Sequence, residues 1–168
     1  KNIDREDTVF FASGVSNSLE EDKTQFQREE NLVKKTINEN PDKVFLYFST
    51  CSIYDSSKTQ SHYVLHKIRI EQIITELCSR YLILRVSNVV GEGGNPNLLM
   101  NYLYRQIINE NELSIHQYAT RNLIDKEDVK NITLKYLNSD DLNKIVNVAY
   151  VENYYIPEIV EAFESFLG

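Results

Sequence analysis

A tyrosine and a lysine four positions apart, Tyr63 and Lys67, are the residues of this chain best suited to proton transfer. On a helix they share a face, so the lysine ammonium can lie near the phenol and favour its ionised form. A tyrosine tuned in this way can act as an acid or base near neutral pH. Thr50 precedes the pair, and its hydroxyl can bond to the same reacting oxygen. The spacing predicts an acid/base site; the alternative is that this pair merely begins an ordinary amphipathic helix.

Short apolar runs alternate with segments of helical periodicity, which is typical of a parallel sheet covered by helices. The predicted elements are, in order, strand Thr8–Ala12, helix Thr24–Asn38, strand Lys43–Phe48, helix Tyr63–Ser79, strand Tyr81–Val86, helices Asn97–Asn109 and Asp125–Leu137, strand Ile145–Ala149 and helix Pro157–Leu167. The first five form a βαβαβ unit. Open sheets of this kind bind ligands at the carboxyl ends of their strands, where Thr50 falls.

Composition agrees with one soluble enzyme domain. The chain has 168 residues, of which 42% are hydrophobic, and this is enough for one core. Its formal net charge of −7 argues against nucleic acid or an acidic membrane surface as a partner, because a polyanion would be repelled. The two cysteines and three histidines have no metal-ligand spacing, so no metal site is predicted. No segment resembles a signal peptide or membrane span, and we expect a cytoplasmic protein.

Several segments together resemble the extended short-chain dehydrogenase/reductase family, which comprises NAD-dependent nucleotide-sugar epimerases, dehydratases and reductases. The matching segments are, in order, DTVFFASG from Asp7, VFLYFSTCSIYD from Val44, YVLHK from Tyr63, LILRVSNVVG from Leu82 and RNLIDKEDV from Arg121. Each motif is weak alone, but the ordered set is fairly specific. The resemblance implies an α/β fold with a partial Rossmann-like parallel sheet and a carboxyl-terminal substrate-binding portion.

The resemblance also implies two functional halves. Residues 1–90 would form part of the NAD(P)-binding half with the YxxxK site, and residues 91–168 a substrate-binding half that partly returns to the sheet. The family's opening strand and GxxGxxG loop have no counterpart here, since the chain begins like the lead-in to the fourth strand. The sequence therefore resembles a fragment of a longer enzyme; the alternative is a reduced domain that lost its cofactor site.

Roles for individual residues follow from the same resemblance. Tyr63 would be the acid/base, Lys67 would hold its charge and bond the nicotinamide ribose, and Thr50 would bond the reacting oxygen. Further cofactor contacts are implied at Ala12, Ser13, Gly14, Ser49 and Val86. Contacts to a nucleotide-sugar substrate are implied at Asn88, Asn97 and Arg121. Only one of Ser49 and Thr50 is expected to serve the reaction, because consecutive strand residues point to opposite faces. Small residues near Gly14 could instead reflect packing, and Arg121 could pair with Glu127 or Asp128.

The residues that follow Thr50 narrow the choice among the family's reactions but leave more than one open. Family 4,6-dehydratases carry an acid pair after the active threonine, whereas this chain has Cys51 and Ser52, so that reaction is disfavoured. An epimerase and a reductase remain open, as do NAD and NADP, and the short segment before Tyr63 resembles a reductase branch that includes capsular-polysaccharide enzymes. A noncatalytic scaffold subunit is the alternative from another class.

Three secondary expectations concern the helices. The family's asparagine in the helix before Lys43 is replaced by the segment Glu29-Glu30-Asn31, which puts its proton-relay role in doubt. His66 is expected to face solvent or an interface. Because the helix that begins at Tyr63 has apolar residues on more than one face, the sequence predicts a homodimer that pairs through it.

Overall fold

The computed structural model describes residues 5–91, 93 and 98–167. Its first elements are strand β1 (Thr8–Phe11), helix α1 (Lys23–Glu39), strand β2 (Val44–Thr50), two 3₁₀ turns (Cys51–Tyr54 and Ser56–Lys58), helix α2 (His62–Leu77) and strand β3 (Tyr81–Val86). They are followed by β4 (Asn88–Val90), α3 (Leu99–Ile108), β5 (Thr120–Arg121), β6 (Leu123–Asp125), α4 (Lys126–Ser139), β7 (Lys144–Val148), β8 (Tyr154–Tyr155) and α5 (Ile156–Leu167).

A four-stranded parallel sheet of order β1-β2-β3-β7 forms the centre of the first compact unit. This confirms the predicted α/β class with a Rossmann-like parallel sheet. Thr50 at the end of β2 is in register with Val86 of β3, which is in register with Val148 of β7. The carboxyl ends of three strands therefore meet at one edge, where Thr50 lies.

The first unit consists of residues Lys1–Val86 and Asn131–Val148. Helices α1 and α2 pack beside β2 because each presents apolar side chains at helical spacing. The core joins them to the sheet through residues such as Val33, Phe45, Ile70, Ile74 and Ile83. Burial of these side chains fixes the faces of α1 and α2 that carry the polar residues described below.

The second unit comprises Ser87–Lys130 and Ala149–Gly168. Here β4 pairs in parallel with β6, and β5 pairs antiparallel with β8. A separate small core forms between α3 and α5 from Leu103, Ile156, Ile159 and Val160. The first boundary between the units falls after Val86, and the chain returns to the first unit at Asn131. The assignment of cofactor and substrate roles to residues 1–90 and 91–168 stays a prediction.

The sequence-based boundaries agree with the structure to within about two residues at most ends. Strand β2 extends two residues beyond Phe48, and Thr50 is its last residue, at the carboxyl end of the strand as expected. The short strands β4, β5, β6 and β8 were not predicted, because segments of two or three residues carry no periodic signal. No helix among the described residues is long and apolar enough to cross a membrane.

Candidate active site

Thr50 and Tyr63 come together at the carboxyl edge of the sheet. Thr50 is buried at the end of β2, where its Oγ1 accepts a hydrogen bond from the amide of Ser52 and so caps the following 3₁₀ turn. Tyr63 lies in the first turn of α2 and is half-buried. A hydrogen-bonding interaction with Thr50 lowers the pKa of the Tyr63 phenol. The side chains of Thr50 and Tyr63 are therefore neighbours at this edge of the sheet.

The acidity of Tyr63 depends on its burial and on its neighbours. Burial raises the pKa of its phenol above the usual value, and the charge of Glu29 acts in the same direction, while the hydrogen bond with Thr50 opposes both. Tyr63 is accordingly a proton donor at neutral pH. The Lys67 ammonium is hydrogen-bonded to Tyr47 and Glu29, and its Nζ lies 5.7 Å from the centre of the Tyr63 ring. That Lys67 favours the ionised phenol stays a prediction.

The Lys67 side chain is buried against α1 and β2. Its Nζ donates to the Tyr47 hydroxyl at 2.8 Å and to Oε1 of Glu29 at 3.3 Å, and it also lies 4.9 Å from the centre of the Tyr47 ring. Burial lowers the pKa of this ammonium, whereas the nearby carboxylates of Glu29 and Glu71 raise it. Among the residues that the structure describes, Lys67 has two hydrogen-bond acceptors for its three donors. One donor can therefore serve a ligand.

Glu29 is the residue around which this part of the site is arranged, and its side chain is completely buried. Its Oε2 accepts from the Val15 amide at 2.6 Å and is 2.9 Å from Nε2 of His66. Its Oε1 accepts from the Tyr47 hydroxyl at 2.7 Å as well as from Lys67. Burial alone raises the pKa of this carboxyl, but the hydrogen bonds and the Lys67 charge together lower it to about 2. Glu29 is a buried anion.

Sequence reasoning missed the roles of Glu29, Tyr47 and His66. His66 was expected to face solvent or an interface, yet it is 8% exposed, bonds Glu29 and lies 4.6 Å from the Phe26 ring. One signal could have found Glu29. It precedes the buried Val33 by four residues, so helical periodicity puts its carboxylate on the inner face of α1.

A second buried carboxylate, Glu71, lies one turn after Lys67 on α2. Glu71 accepts three hydrogen bonds from Arg85, at 3.0 and 3.2 Å from Nε and 2.5 Å from Nη2, and a fourth from the Ser49 hydroxyl at 2.6 Å. Nη1 of Arg85 donates to Tyr54 at 2.9 Å. Ser49 thus bonds a structural ion pair, while its neighbour Thr50 bonds Tyr63.

The other residues with predicted cofactor contacts lie at the ends of β1 and β3. Ala12 and Ser13 follow β1 and are exposed. A Cβ added to Gly14 would lie 2.9 Å from both Lys67 Nζ and Glu29 Oε1, so glycine permits the loop backbone to approach this network closely. Val86 is buried at the end of β3, in register with Thr50. Gly14 is therefore brought to Lys67, and Val86 to Thr50.

The predicted substrate contacts lie in the second unit or outside the described residues. Asn88 is exposed in β4, where its side chain donates to the carbonyl of Asn122 at 2.9 Å. Arg121 is half-buried in β5, and its guanidinium donates to the Thr120 carbonyl at 2.7 Å. Among the ion pairs of the described residues, none joins Arg121 to Glu127 or Asp128. Asn97 lies outside the described residues.

A parallel sheet with Thr50 at a strand end, followed by a helix that carries Tyr63 and Lys67, is a Rossmann-like arrangement of the kind that the sequence motifs predicted. The family model for the NAD dependent epimerase/dehydratase family matches residues 6–149. The chain belongs to that family, which confirms the resemblance seen in the sequence motifs. No curated protein matches the chain significantly.

Solved structures share the fold at low sequence identity. UDP-glucuronic acid 4-epimerase from Bacillus cereus, in complex with UDP-glucuronic acid and NAD, matches with a TM-score of 0.82 and 19% identity over 96% of this chain and 60% of its own. The Bordetella bronchiseptica enzyme WbmG, in complex with NAD and UDP, matches with a TM-score of 0.75 and 18% identity over 94% and 55%. dTDP-glucose 4,6-dehydratase from Bacillus anthracis, in complex with NAD, matches with a TM-score of 0.72 and 16% identity. The match covers 86% of this chain and 53% of that structure's chain. The chain thus spans between 53% and 60% of the length of these structures.

Proposed function

We propose that this chain belongs to an NAD(P)-dependent enzyme that exchanges a hydride with a carbon of a nucleotide sugar, as an epimerase or a reductase, with Tyr63 as the acid/base. The observation that carries the proposal is the proximity of Thr50, at the end of β2, to Tyr63, which lies one helical turn before the buried Lys67 on α2. The similar structures, one solved with NAD and UDP-glucuronic acid and one with NAD and UDP, support the same class of ligands.

The residues at the sheet edge fit a nicotinamide cofactor. Lys67 has a donor to spare among the described residues, and this donor suits a ribose hydroxyl. Gly14 lets the loop after β1 come close to the same ammonium, where any larger residue would meet it. We propose that Ala12, Ser13 and Gly14 lie along the cofactor. When bound, the cofactor would supply the hydride acceptor and donor.

The chain's own residues would handle the proton and the reacting oxygen. In the reducing direction the neutral phenol of Tyr63 gives its proton to the oxygen of the sugar ketone as that oxygen becomes a hydroxyl. In the oxidising direction the Tyr63 phenolate takes the proton back from the hydroxyl. Thr50 hydrogen-bonds the same oxygen and fixes its distance from the phenol, which is the geometric requirement for proton transfer. Burial of Tyr63 favours the protonated phenol, so the reducing direction starts from the resting form.

Substrate binding would involve Arg121, Asn88 and Asn97. A guanidinium suits a diphosphate because its planar fork can make two parallel charge-assisted hydrogen bonds. Only one hydrogen bond of the Arg121 side chain is seen among the described residues, to the Thr120 carbonyl. Asn88 and Asn97 can donate to phosphate or sugar oxygens.

We further propose that the full protein is a cytoplasmic homodimer that uses α2 in its interface. Several apolar residues of α2 are internal, since Ile70, Ile73 and Ile74 lie in the core. Leu65 and Leu77 remain exposed on α2, at 46% and 51%. Sedimentation of the intact protein at micromolar concentration tests this: a dimer is expected, and a monomer would contradict it.

Native mass spectrometry of the full-length protein, followed by turnover assays with UDP-sugars, tests the proposed function. We expect bound NAD(P) and conversion of a nucleotide sugar. Interconversion without net consumption of reduced nicotinamide would indicate an epimerase, and stoichiometric consumption a reductase. A full-length protein that binds neither NAD(P) nor a nucleotide sugar would overturn the proposal and favour a scaffold subunit.

A further inference from the structure

The Glu29 carboxylate joins three separate segments of the first unit. It accepts hydrogen bonds from the Val15 amide in the loop after β1, from Tyr47 on β2, and from Lys67 on α2, and it contacts His66 on the same helix. Both oxygens are used, and the side chain has no exposed surface. A buried carboxylate is stable only when such partners replace water. The arrangement therefore depends on a charged Glu29.

Lys67 also needs Glu29. The lysine is 3% exposed, and burying an ammonium without an opposite charge favours its neutral form. Glu29 supplies the counter-charge at 3.3 Å, and the shorter contact to Tyr47 at 2.8 Å fixes the direction of the ammonium. Tyr47 in turn donates its own proton to Glu29, because burial raises the pKa of its phenol well above the usual value and keeps it protonated.

We propose that Glu29, acting with Tyr47, is a positioning residue that keeps the Lys67 ammonium charged and fixed next to Tyr63 and to the loop at Gly14. This inference rests on the proposed function for its catalytic consequence. We do not place Glu29 in contact with the substrate, because both of its carboxylate oxygens are hydrogen-bonded to other residues of the protein. It acts through Lys67, whose remaining donor faces the ligand in the proposed reaction.

The charged and titratable groups around Lys67 come from three elements. Helix α1 contributes Glu29, strand β2 contributes Tyr47, and helix α2 contributes Tyr63 and Glu71. Only Glu29 is both anionic and in direct contact with the ammonium among the described residues. Removal of its charge should therefore lower the pKa of Lys67 further.

The test is a titration of Lys67 in the full-length protein with isotope-labelled lysine side chains, followed by NMR. We compare the wild type with Glu29→Gln, and use Glu30→Gln as the matched control, since Glu30 is the next residue of α1 and pairs with Lys34. Lys67 should titrate at a lower pH in Glu29→Gln than in the wild type, and at the wild-type pH in Glu30→Gln. In turnover assays, the alkaline limb of the pH profile should move to lower pH in Glu29→Gln alone.

Unchanged Lys67 titration in folded Glu29→Gln would overturn the inference. If that variant does not fold, the variant Tyr47→Phe provides the test of the inference. It removes one acceptor of Lys67 and should lower turnover about tenfold, the kinetic equivalent of one hydrogen bond; wild-type turnover in Tyr47→Phe would overturn the inference. If Lys67 titrates lower in Glu29→Gln while the wild type converts no nucleotide sugar, the hold of Glu29 on Lys67 is supported and the proposed function fails.

Discussion

Two buried carboxylates on neighbouring parts of the first unit, Glu29 and Glu71, are satisfied in different ways. Glu29 accepts from four groups on three segments, and one of them, Lys67, keeps a donor for a ligand. Glu71 is bound mainly by Arg85 in a bidentate ion pair. The guanidinium of Arg85 also donates a hydrogen bond to the exposed Tyr54. Both acids are buried, at 0% and 3% exposed, but among the described residues it is the Glu29 network that leads through Lys67 to Tyr63.

This difference separates a network that belongs to the candidate site, around Glu29, from one that supports the fold, around Glu71. The Glu71 network ties α2 to β3 through Arg85 and continues through Tyr54 to Asn147, so it can stabilise the fold without touching a ligand. The Glu29 network ends in an ammonium next to the two hydroxyls that can move a proton. The burial of the two carboxylates alone does not distinguish the networks. What distinguishes them is where the cation bound to each carboxylate places its remaining hydrogen-bond donors.

The largest effect is expected from Tyr63→Phe. This change deletes the hydroxyl that moves the proton and leaves the ring in place, so turnover should fall by roughly a hundredfold to ten-thousandfold. Binding of the nucleotide sugar should be retained, as measured by calorimetry. Tyr54→Phe is the control, because its hydroxyl contacts Arg85 and Asn147 rather than Lys67. A full-length Tyr63→Phe protein with wild-type turnover would disprove the assignment of the acid/base.

Unfolding by urea should rank the two ion pairs. Arg85→Met leaves Glu71 with Ser49 as its remaining described partner and should cost about 3–5 kcal/mol, as for a buried charge that loses its partner. Lys67→Met leaves Glu29 with three other donors and should cost less, about 1.5–3 kcal/mol, the range for one hydrogen bond to a charged group. The reverse ranking would contradict the contacts described here.

Acid should weaken the protein partly through Glu29. Its pKa is about 2 in the folded protein, because hydrogen bonds and the Lys67 charge outweigh burial, and about 4.3 in an unfolded chain. The stability it contributes is therefore complete above the unfolded value and is lost as the pH falls toward the folded one. Unfolding free energy measured between these limits should depend less on pH in Glu29→Gln than in the wild type or in the exposed control Glu39→Gln. Equal slopes would show that Glu29 is not charged.

The smallest effect is expected from Gly14→Ala. The new methyl carbon would lie 2.9 Å from Lys67 Nζ and Glu29 Oε1, so these side-chain ends must shift. Because both are tips of long side chains, we expect a few-fold loss in cofactor affinity with the fold intact. Cofactor titration by fluorescence measures it, and Ser18→Ala at an exposed position of the same loop, with no assigned cofactor contact, is the control. Unchanged affinity in Gly14→Ala would remove the loop from the site.

The sequence predicted the sheet and its helices because their signals are local. The apolar run of β2 and the helical spacing of Ile70 and Ile74 each lie within one element, and burial enforces them. The pair of Thr50 and Tyr63 was also predictable, since the end of a strand and the first turn of the next helix meet at one edge of a parallel sheet.

The network behind the site was not predictable in the same way. Glu29 meets Tyr47, His66 and Lys67 across separations of 18, 37 and 38 residues. Such contacts depend on how α1 packs on α2, which periodicity does not specify. The acidity of Tyr63 was not predictable for the same reason, because it depends on burial and on its neighbours.

The most direct test of the difference between the two acids is the turnover number of Glu29→Gln beside that of Glu71→Gln, each measured per folded molecule with saturating cofactor. We predict that Glu29→Gln loses about a hundredfold, as expected when a reacting geometry is displaced, and that Glu71→Gln stays within a few-fold of the wild type while unfolding at lower urea. Equal losses of turnover in the two variants, or a larger loss in Glu71→Gln, would contradict the account.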